Sequence, residues 1–253
     1  MRNREIAGKF RLLPIAYVAC FHCLVLTDTL PNANRLAAAQ HGGSASSASP
    51  SPPAIVIGFV GGFVAHNDAA HREVQLAAGL RTDYPTGVDV SVFANHRGRQ
   101  ARERILRLLD GRHRNARIIL YGHSWGASEA IRVARILQKD GVPVSLAIPV
   151  DSVWKPGGDD RFTPANVVTA VNFYQLDGLF HGQWRIVAID PIRTRILGNF
   201  QFDYRNDRIA CDAYPWYARL FMKPHIEIES DPRVWDRVDS LIRSELPLAT
   251  AGR

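Results

Sequence analysis

Cysteine is scarce and badly placed for cross-linking. Of three in 253 residues, Cys20 and Cys23 lie in an apolar N-terminal stretch and Cys211 stands alone. A single thiol has no disulfide partner, so no disulfide framework staples this fold. The Cys20-x-x-Cys23 spacing, set in an apolar run, offers neither redox nor metal chemistry. A membrane span is missing as well: the apolar stretch Leu12–Leu26 has 15 residues, interrupted by Pro14 and His22, against the ~20 that a spanning helix needs. His66, Asp68 and His71 cluster in sequence, but their spacing matches no standard metal site and suits polar residues at the start of a helix. No metal and no organic cofactor is expected. Nor is nucleic acid expected as a partner. The arginines from Arg97 to Arg117 surround Ala101, Ile105, Leu108 and Leu109, which mark a helix with one apolar and one solvated face, and no aromatic interleaving accompanies them.

What is present begins with a leader. Arg2, Arg4, Lys9 and Arg11 precede the apolar stretch, and Leu36-Ala37-Ala38-Ala39-Gln40 supplies a small-x-small cleavage site after Ala39. Together these make residues 1–39 a secretory signal peptide and imply a secreted or periplasmic protein. An uncleaved membrane anchor, or lipid attachment at Cys20, is the alternative. Five of the 31 Lys+Arg and two of the 24 Asp+Glu fall in this leader, which leaves the remainder at +4. Residues 40–53, small, polar and Pro-rich, form a flexible linker, and 54–253 the folded domain.

Within that domain apolar strands alternate with amphipathic helices. Strands are expected at Ala54–Phe59, Val88–Ala94, Ile118–Tyr121 and Val144–Val150, with Val167–Tyr174 and Arg185–Ile189 following. Helices are expected at His71–Arg81, Arg97–Asp110 and Ala127–Lys139, and from Asp231-Pro232 to about Leu246, where an N-cap residue precedes a first-turn proline. This alternation predicts an α/β fold, a mostly parallel sheet with helices on both faces and its ligand site at the carboxyl ends of the strands.

Gly122-His123-Ser124-Trp125-Gly126 follows the strand Ile118–Tyr121 and opens a helix. A G-x-S-x-G in that context presents a nucleophilic serine, its glycines allowing the tight turn. Ser124 then needs a base and an orienting acid. Among nine histidines, His225 comes after the strands and before the last helix, in the order serine, acid, histidine. His123 is too close in sequence to face the serine easily, and His66 and His71 precede it. Asp151, at the end of Val144–Val150, is the first choice of acid; Asp177 and Asp190 follow it. The oxyanion donors are expected to be the backbone amides of Trp125 and of Phe59, in the loop Gly58-Phe59-Val60-Gly61-Gly62-Phe63.

These residues resemble the α/β-hydrolase superfamily, specifically its small, exported bacterial lipase- and esterase-like members, over about Ala54 to Leu246. The likeness rests on the Ile57-Gly58-Phe59 turn (with Ile where many esterases have His), the elbow and the late His225. Asp151 resembles the acid placement of pancreatic-type lipases, Asp177 that of most members. The resemblance implies a serine hydrolase cleaving a carboxylic ester through an acyl-enzyme, with a small-molecule or lipid-like substrate and no stable protein partner. A peptidase or thioesterase using the same triad, and a non-catalytic binding protein on this scaffold, are the alternatives. Only about fifteen residues (Ser152–Asn166) separate the two strands after the elbow, too few for a large cap domain, so an open site is expected. The aromatics from Phe200 to Phe221 are expected mainly to pack on the sheet.

Overall fold

The computed structural model describes residues 53–247 apart from 112–114, 157 and 213; the leader at 1–39 and linker residues 40–52 lie outside the described residues. Six apolar segments pair as one parallel sheet: β1 (Ala54–Val60), β2 (Val88–Ala94), β3 (Arg117–His123), β4 (Val144–Val150), β6 (Val167–Gln175) and β8 (Arg195–Phe202). Their order is β2-β1-β3-β4-β6-β8. β1 is buried along its whole length, as a continuous apolar run covered on both faces must be.

The helices divide by face. α2 (Gly98–Asp110) and α3 (Trp125–Lys139) bury Ala101, Ile105, Ala130, Ile131 and Ala134 against Ile55, Ile57 and Leu120. α1 (Arg72–Asp83) and α5 (Pro232–Glu245) bury Leu80, Val234, Val238 and Ile242 against Val56, Ile119 and Ile148 on the other side. Each such aliphatic side chain contributes roughly 1.5–3 kcal/mol by leaving water. α5 starts as its sequence predicts, with Pro232 in the first turn and the Asp231 carboxylate accepting from the Arg233 amide at 2.9 Å. This is the α/β-hydrolase type of fold, without a large cap: between β4 and β6 lies only the two-residue β5 (Phe162–Thr163).

One expectation is corrected here, and two elements were not foreseen. Arg185–Ile189 contributes not a strand of the main sheet but β7 (Val187–Ala188), which pairs with β5 in a separate two-stranded sheet. β8 was not foreseen; it is a half-exposed edge strand whose register shifts across Leu197, next to Gly198, where a Cβ would press to 2.7 Å from the Phe200 ring. Nor was α4 (Trp216–Ser230), because Pro224 lies inside it. Proline ends most helices; here the helix kinks at Met222 and continues. The aromatics of this stretch divide. Tyr204 is fully buried and Phe200 and Phe202 pack on the core, whereas Trp216 and Phe221 are exposed.

Candidate active site

β3 delivers Ser124 to the carboxyl rim of the sheet and α3 begins immediately after it. Ser124 has φ 56° and ψ −125°, a backbone that costs an L-residue roughly 1–3 kcal/mol. The positive φ thus falls on the serine itself and not on the elbow glycines. Those are needed for another reason. A Cβ on Gly126 would lie 2.2 Å from the Phe59 carbonyl oxygen, and one on Gly122 would lie 2.7 Å from the Gly126 carbonyl carbon. The chain turns where two backbones cross, and no side chain fits. Ser124 occupies the N-cap position of α3, yet its hydroxyl makes no capping bond; the helix's first amides stay available to an anion.

The hydroxyl faces His225 instead. Ser124 Oγ lies 2.8 Å from His225 Nε2, and His225 Nδ1 lies 2.7 Å from Asp151 Oδ2. The acid accepting at Nδ1 fixes the tautomer, leaving Nε2 free to take the serine proton. Ser124 is 9% exposed, His225 6% and Asp151 0%. His225 follows Pro224 in α4, so it sits one residue past the proline, just beyond the helix kink and before α5, as chain order suggested.

Asp151 follows β4 with φ 42°, also strained. Its Oδ1 accepts from the amides of Gly182 at 2.7 Å and Gln175 at 3.3 Å, and its Oδ2 from Gln175 Nε2 at 2.8 Å. Burial pushes this carboxyl upward, but the hydrogen bond and charge of His225, with Gln175, more than offset it and hold it below its ordinary value. Asp177 and Asp190 are occupied elsewhere. Asp177 accepts from the Tyr204 amide and pairs with Arg205, and Asp190 accepts from the amides of Ile192 and Arg193. The structure therefore brings Asp151, and neither alternative, to His225.

The oxyanion loop departs from expectation by two residues. Phe59 is inside β1, registered between Phe93 and Gly122, because the strand runs on to Val60. Gly61 is the loop residue beside the nucleophile; a Cβ there would sit 3.6 Å from Ser124 Cβ. Asn95 Nδ2 holds this loop by donating to the Gly61 carbonyl at 2.6 Å. Trp125 is the first residue of α3, its ring 5.5 Å from that of Phe63.

His123 has a place that sequence reasoning missed. Its Nε2 donates to the His225 carbonyl at 3.1 Å, and the two rings lie 4.5 Å apart. Burial, then the neighbouring His225, pushes it down to about 4, so it stands neutral beside the His225 ring. Gln175 and Gly182 were missed too. Gln175 ends a strand and Gly182 lies in a loop, and neither carries a motif. A cleft of about 560 Å³ is lined by Trp154, Phe162 and Trp184 among others, but none of Ser124, His225 and Asp151 lines it.

No family model matches this sequence, and no curated protein matches it. Solved structures give a distant likeness. A thioesterase from the prodiginine biosynthetic pathway in Streptomyces coelicolor is 13% identical with a TM-score of 0.41, over 81% of this chain and 96% of that one. A cutinase-like protein from Cryptococcus sp. is 12% identical with a TM-score of 0.41, over 80% and 98%. An acetylxylan esterase is 12% identical with a TM-score of 0.40, over 77% and 99%. Likeness at this level says nothing of substrate, so the chemistry has to come from the residues themselves. By strand order and by the elbow between β3 and α3, the fold of this chain is that of the α/β-hydrolases.

Proposed function

We propose that this protein is an exported serine hydrolase that cleaves carboxylic esters through an acyl-enzyme on Ser124. The observation that carries the proposal is the hydrogen-bonded line Ser124–His225–Asp151, at 2.8 and 2.7 Å, assembled from three separate elements on one rim of the sheet. Ser124 Oγ attacks the acyl carbon as His225 Nε2 takes its proton. The oxyanion is received by the Trp125 amide and a backbone amide of the Gly61–Phe63 loop. The carbon–oxygen bond to the alcohol breaks, and His225 returns the proton to the leaving oxygen. Water, deprotonated by His225, then attacks the acyl carbon and releases the acid and Ser124. Asp151 stays ionised throughout and stabilises the imidazolium.

Two features bear on substrate. The site lacks a large cap, and Phe63, on the oxyanion loop, is 99% exposed. An accessible, small-molecule or lipid-like ester fits this better than a polar ligand enclosed on all sides. A binding module has no use for a strained serine aimed at a histidine, which sets that alternative behind. Export rests on the leader at 1–39, and amino-terminal sequencing of the protein recovered from its native cell tests cleavage after Ala39.

Labelling with a fluorophosphonate probe tests the chemistry. The protein should label and Ser124→Ala should not; absence of labelling in a folded sample overturns the mechanism. An ester panel on the labelled protein then separates ester from thioester and amide substrates.

A further inference from the structure

Behind the triad two glutamates are buried side by side. Glu73, in the first turn of α1, is 0% exposed, and neither of its carboxylate oxygens has a hydrogen-bond partner; they face the Gly61 amide and the Glu229 carboxylate. Glu229, in α4, is 4% exposed. Its Oε1 lies 2.6 Å from His71 Nδ1, its Oε2 accepts from the Tyr214 hydroxyl, and His123 Nδ1 stands 3.4 Å from it. No Lys or Arg pairs with either carboxylate among the described residues. Buried carboxylates are ordinarily paired with a cation or held on a metal, and this pair has the imidazoles of His71 and His123 beside Glu229.

We propose that His71, Glu73 and Glu229 form a binding site for one divalent metal ion. Their ligand atoms lie within 4.8 Å of one another, close enough for a single ion to reach all three with small side-chain shifts. Glu73, fully buried, without a partner and aimed into the cluster, is the observation that separates this group from an ordinary acidic cluster. The surroundings have the form of an outer shell. His71 turns its other ring nitrogen, Nε2, toward Asp68 Oδ2 at 3.7 Å, as metal-bound histidines turn theirs to a carboxylate. A cavity of about 210 Å³, lined by Arg72, Cys211, Tyr214 and Glu229, borders the group at Glu229. One imidazole and two carboxylates suit Zn²⁺ or Mn²⁺. Ca²⁺ takes six or more oxygens, which this group does not supply.

The ion would do work that no disulfide does among the described residues. It would tie the start of α1 to α4, and Glu229 lies one helical turn beyond His225. The binding site does not depend on the hydrolase reading; only its consequence for turnover does.

The experiment uses the purified full chain, stripped with chelator and titrated calorimetrically with Zn²⁺, Mn²⁺, Ca²⁺ and Mg²⁺, with elemental analysis before stripping. One equivalent of Zn²⁺ or Mn²⁺ should bind, and stripping should lower Tm. Asp68→Asn, an exposed change that leaves the core intact, should weaken binding ~10–100-fold, and Glu73→Gln should weaken it at least as much. If the folded wild type takes up none of the four ions, or binds them equally after Asp68→Asn and Glu73→Gln, the site is refuted and the two glutamates share a proton instead. Fluorophosphonate labelling of the same samples reports on Ser124 independently.

Discussion

At the scale of single residues the site is built from strain and close approach. Phe63, Ser124 and Asp151 are the non-glycine residues with positive φ among those described, and all three stand at the catalytic rim. Strain of this kind persists only where the surroundings over-determine it, and at Asp151 Gly182 supplies that constraint. Its amide donates to the carboxylate, and a Cβ there would lie 2.2 Å from the Asp151 carbonyl carbon. Gly182→Ala should therefore lower kcat by at least ~10²-fold, since catalytic geometry is sensitive to displacements of about 1 Å, and destabilise the fold by roughly 1–3 kcal/mol through overpacking. Steady-state kinetics with a thermal melt checks both, and unchanged kcat would show that Asp151 does not depend on this contact. The acid itself gives a sharper contrast. Asp151→Asn presents the wrong hydrogen-bonding group to His225 Nδ1 and should cut kcat by about 10⁴. Asp177→Asn should leave kcat within a few-fold, because Asp177 serves Tyr204 and Arg205. A reversal of that ranking would move the acid to the next strand.

Among the elements, α4 is the one whose shape places His225 against Ser124. The kink at Met222 and the proline at 224 set the direction in which the next residue, His225, leaves the helix. Gly178, with φ 83°, lies under Pro224, where a Cβ would be 3.3 Å from the proline ring. Pro224→Ala restores an amide donor and favours a straight helix. It should leave Tm unchanged or raised while kcat falls at least ~10-fold, as His225 swings off Ser124. Equal kcat in the variant would show that the kink is set elsewhere. The same proline explains what was and was not legible in the sequence. The buried strands and the amphipathic α2, α3 and α5 carry their own periodicity, and the elbow carries its own motif, so β1, β2, β3, β4, β6 and Ser124 could be read directly, whereas the half-exposed edge strand β8 could not. His225 could be placed only by chain order, and Asp151 only by its position at the end of a strand. Nothing in Lys223-Pro224-His225 announces a helix that continues past a proline. Gln175, Gly182, His123 and Glu229 bear on the site only through contacts between residues far apart in sequence, which no local pattern encodes.

For the described domain as a whole, the absence of cross-links among its residues leaves stability to the two apolar layers and to a few buried charges. Cys211 is the free cysteine of the described domain, so nothing covalent limits opening when those charges are neutralised. Asp151 is one buried acid exposed to that risk. Its folded pKa is below that of the unfolded chain, about 3.9. It therefore contributes stability at pH above that value, and the contribution is lost as pH falls through the lower, folded value. Over the same range the other carboxylates lose charge and the basic excess repels itself more strongly. A Ser124→Ala background removes turnover from the comparison. In it, Asp151 and Asp151→Asn proteins should differ most in Tm near pH 7, and the gap should narrow below about pH 4 as the aspartate is protonated. A gap that stays constant from pH 7 down to pH 3 would mean that the ionised carboxylate adds nothing to the fold, and that its four hydrogen bonds would serve a neutral acid as well as a charged one.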